Sequence, residues 1–183
     1  MKLVEITELK FNVCIELKYA TNDNFTNKPI YKSHKCYLNA EAAKLLTIAV
    51  KIASILNLKI KIYDAFRPKE AQKILWDHTP DPNFLTNPDI GSPHSRGAAI
   101  DVTLLDQENI PLEMGTDFDF FSPLSHHNNQ SIGKVAFKNR LILLGIMTQA
   151  GFDHYKNEWW HYQLYNSKKY DVLDDKKAQT KMM

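Results

Sequence analysis

Cysteine is almost missing from this chain. Cys14 and Cys36 are the only two, too few for a disulfide framework, and neither belongs to a CxxC pair. Free thiols are the expectation. A glycine-rich phosphate loop of the GxGxxG or Walker type is absent too, which argues against a nucleotide site. Long apolar runs are lacking: LILLGIM, the most apolar stretch, is far too short to span a bilayer. MKLVEITELK places Glu5 and Glu8 where a signal peptide needs apolar residues. A soluble protein without a membrane partner is expected, most simply cytoplasmic, or periplasmic if a leader was removed. Charge of one sign is lacking as well. With 23 basic and 21 acidic residues, a net +2, and no basic run interleaved with aromatics, nothing marks a nucleic-acid partner.

What is present is an ordinary globular composition, 44% hydrophobic and 24% charged over 183 residues. That length suits one domain with a real core. No repeat or linker divides residues 1–183, and residues 172–183, with DDKKAQTKMM, read as a frayed tail. FNVCIEL alternates Phe11, Val13, Ile15 and Leu17, a strand pattern. Asn39 is placed to cap a helix to about Leu56, with Leu45, Leu46, Ala49, Ile52 and Ile55 along its buried stripe. LKIKIYDAF alternates with Leu58, Ile60 and Ile62 inward, and Pro68 stands at the start of the helix PKEAQKILWDH. GAAIDVTLL is a further strand, and residues 106–131 read as irregular. A long helix over 132–150 ends at Gly151. GFDHYKNEWWHYQL then reads as a hairpin turning near Lys156 and Asn157. This order predicts an α+β fold: a central, mainly antiparallel sheet flanked by helices.

Chemistry gathers in GSPHSRGAAID, residues 91–101. With a strand beginning near Gly97, Ala99, Asp101 and Thr103 share one face. A loop that doubles back brings the imidazole of His94 to that face. One histidine nitrogen and one carboxylate suit zinc; a salt-bridged or capping pair is the plainer reading. In EWWHY, Glu158 and His161 are three apart, so on a regular strand they point to opposite faces. They reach one site only if Glu158 sits at the strand's irregular start. His161 is then a third ligand and Glu158 an unligated base. Taken alone, this segment reads as an aromatic-rich core strand. Together, two histidines and a carboxylate leave the fourth zinc position to water, the pattern of a catalytic site. Arg67, at the strand–helix junction in YDAFRPKEAQ, is a candidate oxyanion stabiliser; a surface arginine or a partner for Asp64 is the plainer reading.

SPHSRGAAID, EWWH, DAFRP and MGTDFDFFSPLSHH together closely resemble the VanX-type D-alanyl-D-alanine dipeptidases, zinc enzymes of peptidase family M15. The resemblance runs from YATNDNF to EWWHY, without departure at the core motif positions. It implies a compact α+β domain with the zinc site beside the sheet and one Zn2+ per chain, bound by His94, Asp101 and His161. It implies Glu158 as general base and then acid, and Arg67 stabilising the tetrahedral intermediate. Asp119 would hold the substrate's ammonium, with Asp117 close by as a competing acid, and Ser92 would lie near the substrate. The implied reaction is zinc-dependent hydrolysis of a small D,D-dipeptide to two D-alanines.

Two other functions stay open. A D,D-carboxypeptidase acting on longer peptidoglycan peptides needs an open cleft. A non-catalytic zinc-containing peptide-binding module needs neither Glu158 nor Arg67. His126 and His127 are adjacent and poorly placed to chelate one ion, so they read as loop or supporting groups, and His154 as a turn residue.

Overall fold

A computed structural model describes residues 2–183. The strands are β1 (Leu3–Ile6), β2 (Cys14–Ile15), β3 (Cys36–Asn39), β4 (Lys59–Asp64), β5 (Ala99–Leu105), β6 (Asp153–His154) and β7 (His161–Gln163). The helices are α1 (Glu8–Phe11), α2 (Ala40–Ile55), α3 (Lys69–His78), α4 (Lys134–Gln149) and α5 (Asp175–Ala178). Local chemistry sets several boundaries. Asn39 Oδ1 accepts the Ala42 N–H at 2.8 Å, satisfying one of the free donors of the first turn of α2. Pro68 precedes α3, where a missing N–H costs nothing. Gly151, at φ +106°, follows α4 in a conformation that side chains disfavour.

The five-stranded sheet runs β2-β4-β5-β7-β6, and β1 pairs with β3 in a separate two-stranded sheet. The expected central, mainly antiparallel sheet is therefore corrected to a mixed one. β4/β5, β5/β7 and β7/β6 are antiparallel, but edge strand β2 runs parallel to β4. The connection between β2 and β4 passes through β3 and α2, a crossover long enough to return the chain in the same direction. FNVCIEL contributes only two paired residues. Thr7 caps α1 and Asn12, at φ +53°, closes it, so Phe11 is helical despite the strand-like alternation.

β5 is buried at every position. Ile100, Val102 and Leu104 join Ile60 and Ile62 of β4 in the core, with Leu46 and Ala49 of α2 and Leu143 and Met147 of α4. The buried stripe of α2 is Ala42, Ala43, Leu46, Ala49 and Ala53. Ile55, expected inward, is 80% exposed, whereas Ala53 in the same last turn is buried.

The segment expected to fray is packed. Leu173 donates its N–H to the Ser95 carbonyl at 2.8 Å and accepts from Lys69 N at 3.0 Å. Asp175 accepts from Thr180 Oγ1 and Met182 N, and Met182 is buried. No helix among the described residues is long and apolar enough to cross a membrane.

Candidate active site

Three backbone devices bring the candidate ligands together. Asp101 and His161 are direct cross-strand partners on β5 and β7. His94 opens a 3-10 turn, His94–Arg96, just before β5. That turn closes at Gly97, in the left-handed region at φ +61°, where a Cβ would lie 3.0 Å from the Asn39 backbone nitrogen and 2.7 Å from Leu3. Only glycine fits there without a shift.

The side chains then converge. His94 Nε2 lies 3.3 Å from Asp101 Oδ2 and 3.1 Å from His161 Nδ1. His161 Nδ1 lies 3.1 Å from Asp101 Oδ1. All three residues are buried, and one donor atom from each lies within 4.8 Å of the others. The outward nitrogens are paired as well: His94 Nδ1 is 2.7 Å from the Ala65 carbonyl, and His161 Nε2 is 3.1 Å from Gln163 Oε1. An oxygen acceptor on the far nitrogen fixes the tautomer that leaves the near one free to ligate. Two imidazole nitrogens and a carboxylate oxygen with these supports form a donor set that can hold a metal ion.

Glu158 lies in the β6–β7 connection, not on a strand, so the opposite-face objection does not arise. Its Oε2 is 3.8 Å from His161 Nδ1. Burial pushes its carboxyl well above the ordinary range, the charges of Asp101 and Asp119 add to this, and Arg67 opposes it. Burial likewise works against the charge of Asp101, but the two histidines outweigh it and hold that carboxyl far below the usual range.

Arg67 is buried and serves several partners at once. Its Nε donates to Asp64 Oδ2 at 2.8 Å and its Nη1 to Gln72 Oε1 at 2.9 Å, while Nη2 stands 3.6 Å from Asp101 Oδ2. Its guanidinium lies over the Tyr19 ring, 4.9 Å from the centroid. The Asp64 pairing weighed from sequence is thus present, together with an approach to the metal-ligand candidates. Ser92 is buried, and its Oγ accepts the His94 N–H at 3.2 Å.

A cavity of about 270 Å³ is lined by Arg67, Ser92, His94, Asp101, Asp119, Glu158 and His161, among others. Of the candidates from the sequence, all but one line it. Asp117 does not; it is exposed and lines only a larger groove of about 880 Å³, which Asp119 also borders. Asp119 adopts φ +58°, and its Oδ2 accepts the Tyr19 hydroxyl at 2.7 Å. Burial raises its carboxyl to about 8, against the lowering effects of the Tyr19 hydrogen bond and Arg67.

Several supporting groups went unassigned from sequence. Gln163 shares a strand face with His161 two residues earlier, a spacing that could have identified it. Asp64 was named only as a partner for Arg67, yet it also accepts the Tyr31 hydroxyl at 2.8 Å. His154 belongs to strand β6 rather than to a turn, with its ring 5.0 Å from that of His127. The main-chain N–H of His127 donates to the Lys156 carbonyl at 3.0 Å, anchoring the connection that carries Glu158.

Comparison with known proteins matches the sequence of the chain to a peptidase family. The profile of peptidase family M15, described as D-ala-D-ala dipeptidase, matches residues 1–180. A D-alanyl-D-alanine dipeptidase of Escherichia coli K12 is 41% identical over 174 residues, covering 95% of this chain and 90% of that protein. Proteins of the same description from Enterococcus faecalis and Streptomyces coelicolor are 34% and 32% identical, each over 180 residues, with 87% of this chain and 89% of the relative covered.

Proposed function

The chain belongs to the D-ala-D-ala dipeptidase family of M15 peptidases and is a hydrolase, and from that premise we propose that it cleaves the D-alanyl-D-alanine dipeptide into two D-alanines, with one zinc ion held by His94, Asp101 and His161. One observation carries the reading. A three-donor cluster, an unligated carboxylate, a guanidinium and a second carboxylate line the same small cavity.

When bound, the ion would acidify water and polarise the scissile carbonyl. The protein's own groups account for the rest. Glu158, beside His161 but outside the donor cluster, takes a proton from the attacking water and returns it to the leaving amine. Arg67, held by Asp64 and Gln72, supplies positive charge to the carbonyl oxygen as it becomes negative. Asp119 holds the substrate's ammonium across the cavity, and Ser92 contacts the substrate beside the His94 turn.

Size and charge together define the substrate. A cavity of about 270 Å³ falls below the roughly 300–1,000 Å³ of sites for larger ligands. A blocked or extended amino terminus would bury Asp119 without its cation, and a longer wall peptide would have to displace the Tyr19–Asp119 pair. Leaving such a group unpaired discriminates far more strongly than a misplaced methyl group, worth about 1–3 kcal/mol.

The test is D-alanine release from D-Ala-D-Ala by the purified chain, before and after chelation, with N-acetyl-D-Ala-D-Ala as comparator. The reading predicts two D-alanines per peptide, loss on chelation, recovery with zinc and little turnover of the blocked peptide. Equal turnover of the blocked peptide would identify a carboxypeptidase instead. Bound zinc without turnover would identify a binding module.

A further inference from the structure

The segment Met114–His127, which carries Asp119, contains no regular element beyond one short 3-10 turn, Pro123–Ser125. A loop of this kind does not by itself hold a carboxylate at a fixed distance from a metal site. The Tyr19 hydroxyl holds Asp119 directly, and the two ends of the loop are held by α4. Arg140 is 1% exposed and has no ion-pair partner among the described residues. Its Nε donates to the Met114 carbonyl at 2.6 Å, and its Nη1 donates to the Leu124 and His126 carbonyls at 2.9 and 3.1 Å. Its Nη2 donates to Thr116 Oγ1 at 3.4 Å. These acceptors stand on both sides of Asp119 in the chain, so one guanidinium staples the two ends of the loop together.

The staple reaches the catalytic hairpin as well. Thr116 Oγ1 also accepts from Trp159 Nε1 at 2.8 Å, and Trp159 N donates to the Ser125 carbonyl at 3.1 Å. Ser125 Oγ in turn donates to the Phe120 carbonyl, next to Asp119. The Arg140 guanidinium faces the Trp159 ring at 5.7 Å. Trp159 is the neighbour of Glu158. Burying a cation without a carboxylate is costly unless every N–H finds an acceptor, and here the acceptors are loop carbonyls.

We propose that Arg140 is a positioning residue that sets the distance between the ammonium-holding carboxylate of Asp119 and the Glu158 hairpin, and so controls recognition of the substrate's amino terminus. The inference rests on the assignment of Asp119 to the ammonium. Lysine at position 140 keeps the charge but loses the planar fork that reaches several carbonyls at once.

The experiment is a double-mutant cycle on the zinc-loaded enzyme with D-Ala-D-Ala as substrate, using Arg140→Lys, Asp119→Ala and the two combined, with zinc quantified in each. Arg140→Lys should raise KM about tenfold, as loss of a charged hydrogen bond does, with kcat within about threefold and zinc unchanged. In the Asp119→Ala background the same substitution should change KM by less than about twofold, because the group it positions is gone. An unchanged KM in Arg140→Lys, or an equal rise with and without Asp119, overturns the proposal. If Asp119→Ala itself leaves KM unchanged, the ammonium assignment fails and this inference falls with it. A raised KM in Asp119→Ala but none in Arg140→Lys overturns this inference alone. Should Arg140→Lys not fold, Thr116→Val removes the acceptor shared by Arg140 and Trp159. A KM rise in that variant, absent in the Asp119→Ala background, supports the proposal, and an unchanged KM overturns it.

Discussion

His161 stands directly opposite Asp101 on the neighbouring antiparallel strand, with its Nδ1 3.1 Å from Asp101 Oδ1. Their approach is set by sheet register. A slip of one residue would turn either side chain to the other face. Two of the three candidate ligands are therefore placed by backbone hydrogen bonds of β5 and β7. The third, His94, is placed by the Ala65 carbonyl and the glycine-closed turn.

Gln163 is expected to control metal affinity without touching the ion. Its Oε1 is the partner of His161 Nε2. Gln163→Ala should weaken zinc binding about 10–100-fold, the usual effect of removing a supporting group. Competition with a chelator of known affinity measures it; an unchanged affinity would remove Gln163 from the site.

Arg67→Lys should separate catalysis from metal binding. The substitution retains a charge but cannot serve Asp64, Gln72 and the oxyanion together. A loss of about 10²–10³ in kcat is expected, as for other oxyanion donors, with zinc content intact. Steady-state kinetics beside metal analysis decides it, and a fall in KM alone would contradict the role.

Asp119 gives a pH signature in stability. Burial raises its folded-state value from the ordinary 3.8 to about 8, with Tyr19 and Arg67 opposing and Asp101 and Asp64 adding to the shift. Between those values the folded chain keeps a proton that the unfolded chain has lost. The group's stabilising contribution is complete below the unfolded value and is lost as pH rises through the folded one. Asp119→Asn removes this slope. Denaturant titrations of metal-free protein at about pH 5 and about pH 8 should show the variant gaining on wild type at the higher pH; parallel changes would refute it.

Gly97→Ala should be costly. The position has φ +61° and backbone 3.0 Å from an added Cβ. A side chain there costs about 1–3 kcal/mol in backbone strain alone, and the displaced turn carries His94. Thermal melting should show the lower stability and chelator competition the weaker metal binding. Wild-type values in both would show that the turn tolerates a side chain.

The parts of this molecule that the sequence displays are those where periodicity and capping coincide. α2 was legible through Asn39 and its apolar stripe, α3 through Pro68, and β5 through GAAIDVTLL. The convergence of His94, Asp101 and His161 was expected from ligand chemistry together with the family resemblance, whereas each motif alone reads more plainly as an ion pair or a core strand. β1 and β3 were missed because four-residue strands carrying Glu5 and Tyr37 leave too few positions for alternation. The packing of the C-terminal segment depends on one carboxylate, Asp175, collecting distant donors, and no local pattern announces that. Arg140 was silent for a related reason. An arginine in an amphipathic helix reads as solvent-facing, and only the folded loop supplies the carbonyls that draw it inside.

Glu158→Gln tests the central claim most directly, because the amide keeps the shape of the side chain and removes its ability to take a proton. Hydrolysis of D-Ala-D-Ala should fall about 10²–10⁴-fold, the range for a positioned general base, while zinc stays at the wild-type level. Near wild-type turnover at equal zinc would contradict Glu158 as the base, and loss of zinc together with activity would make it a ligand instead.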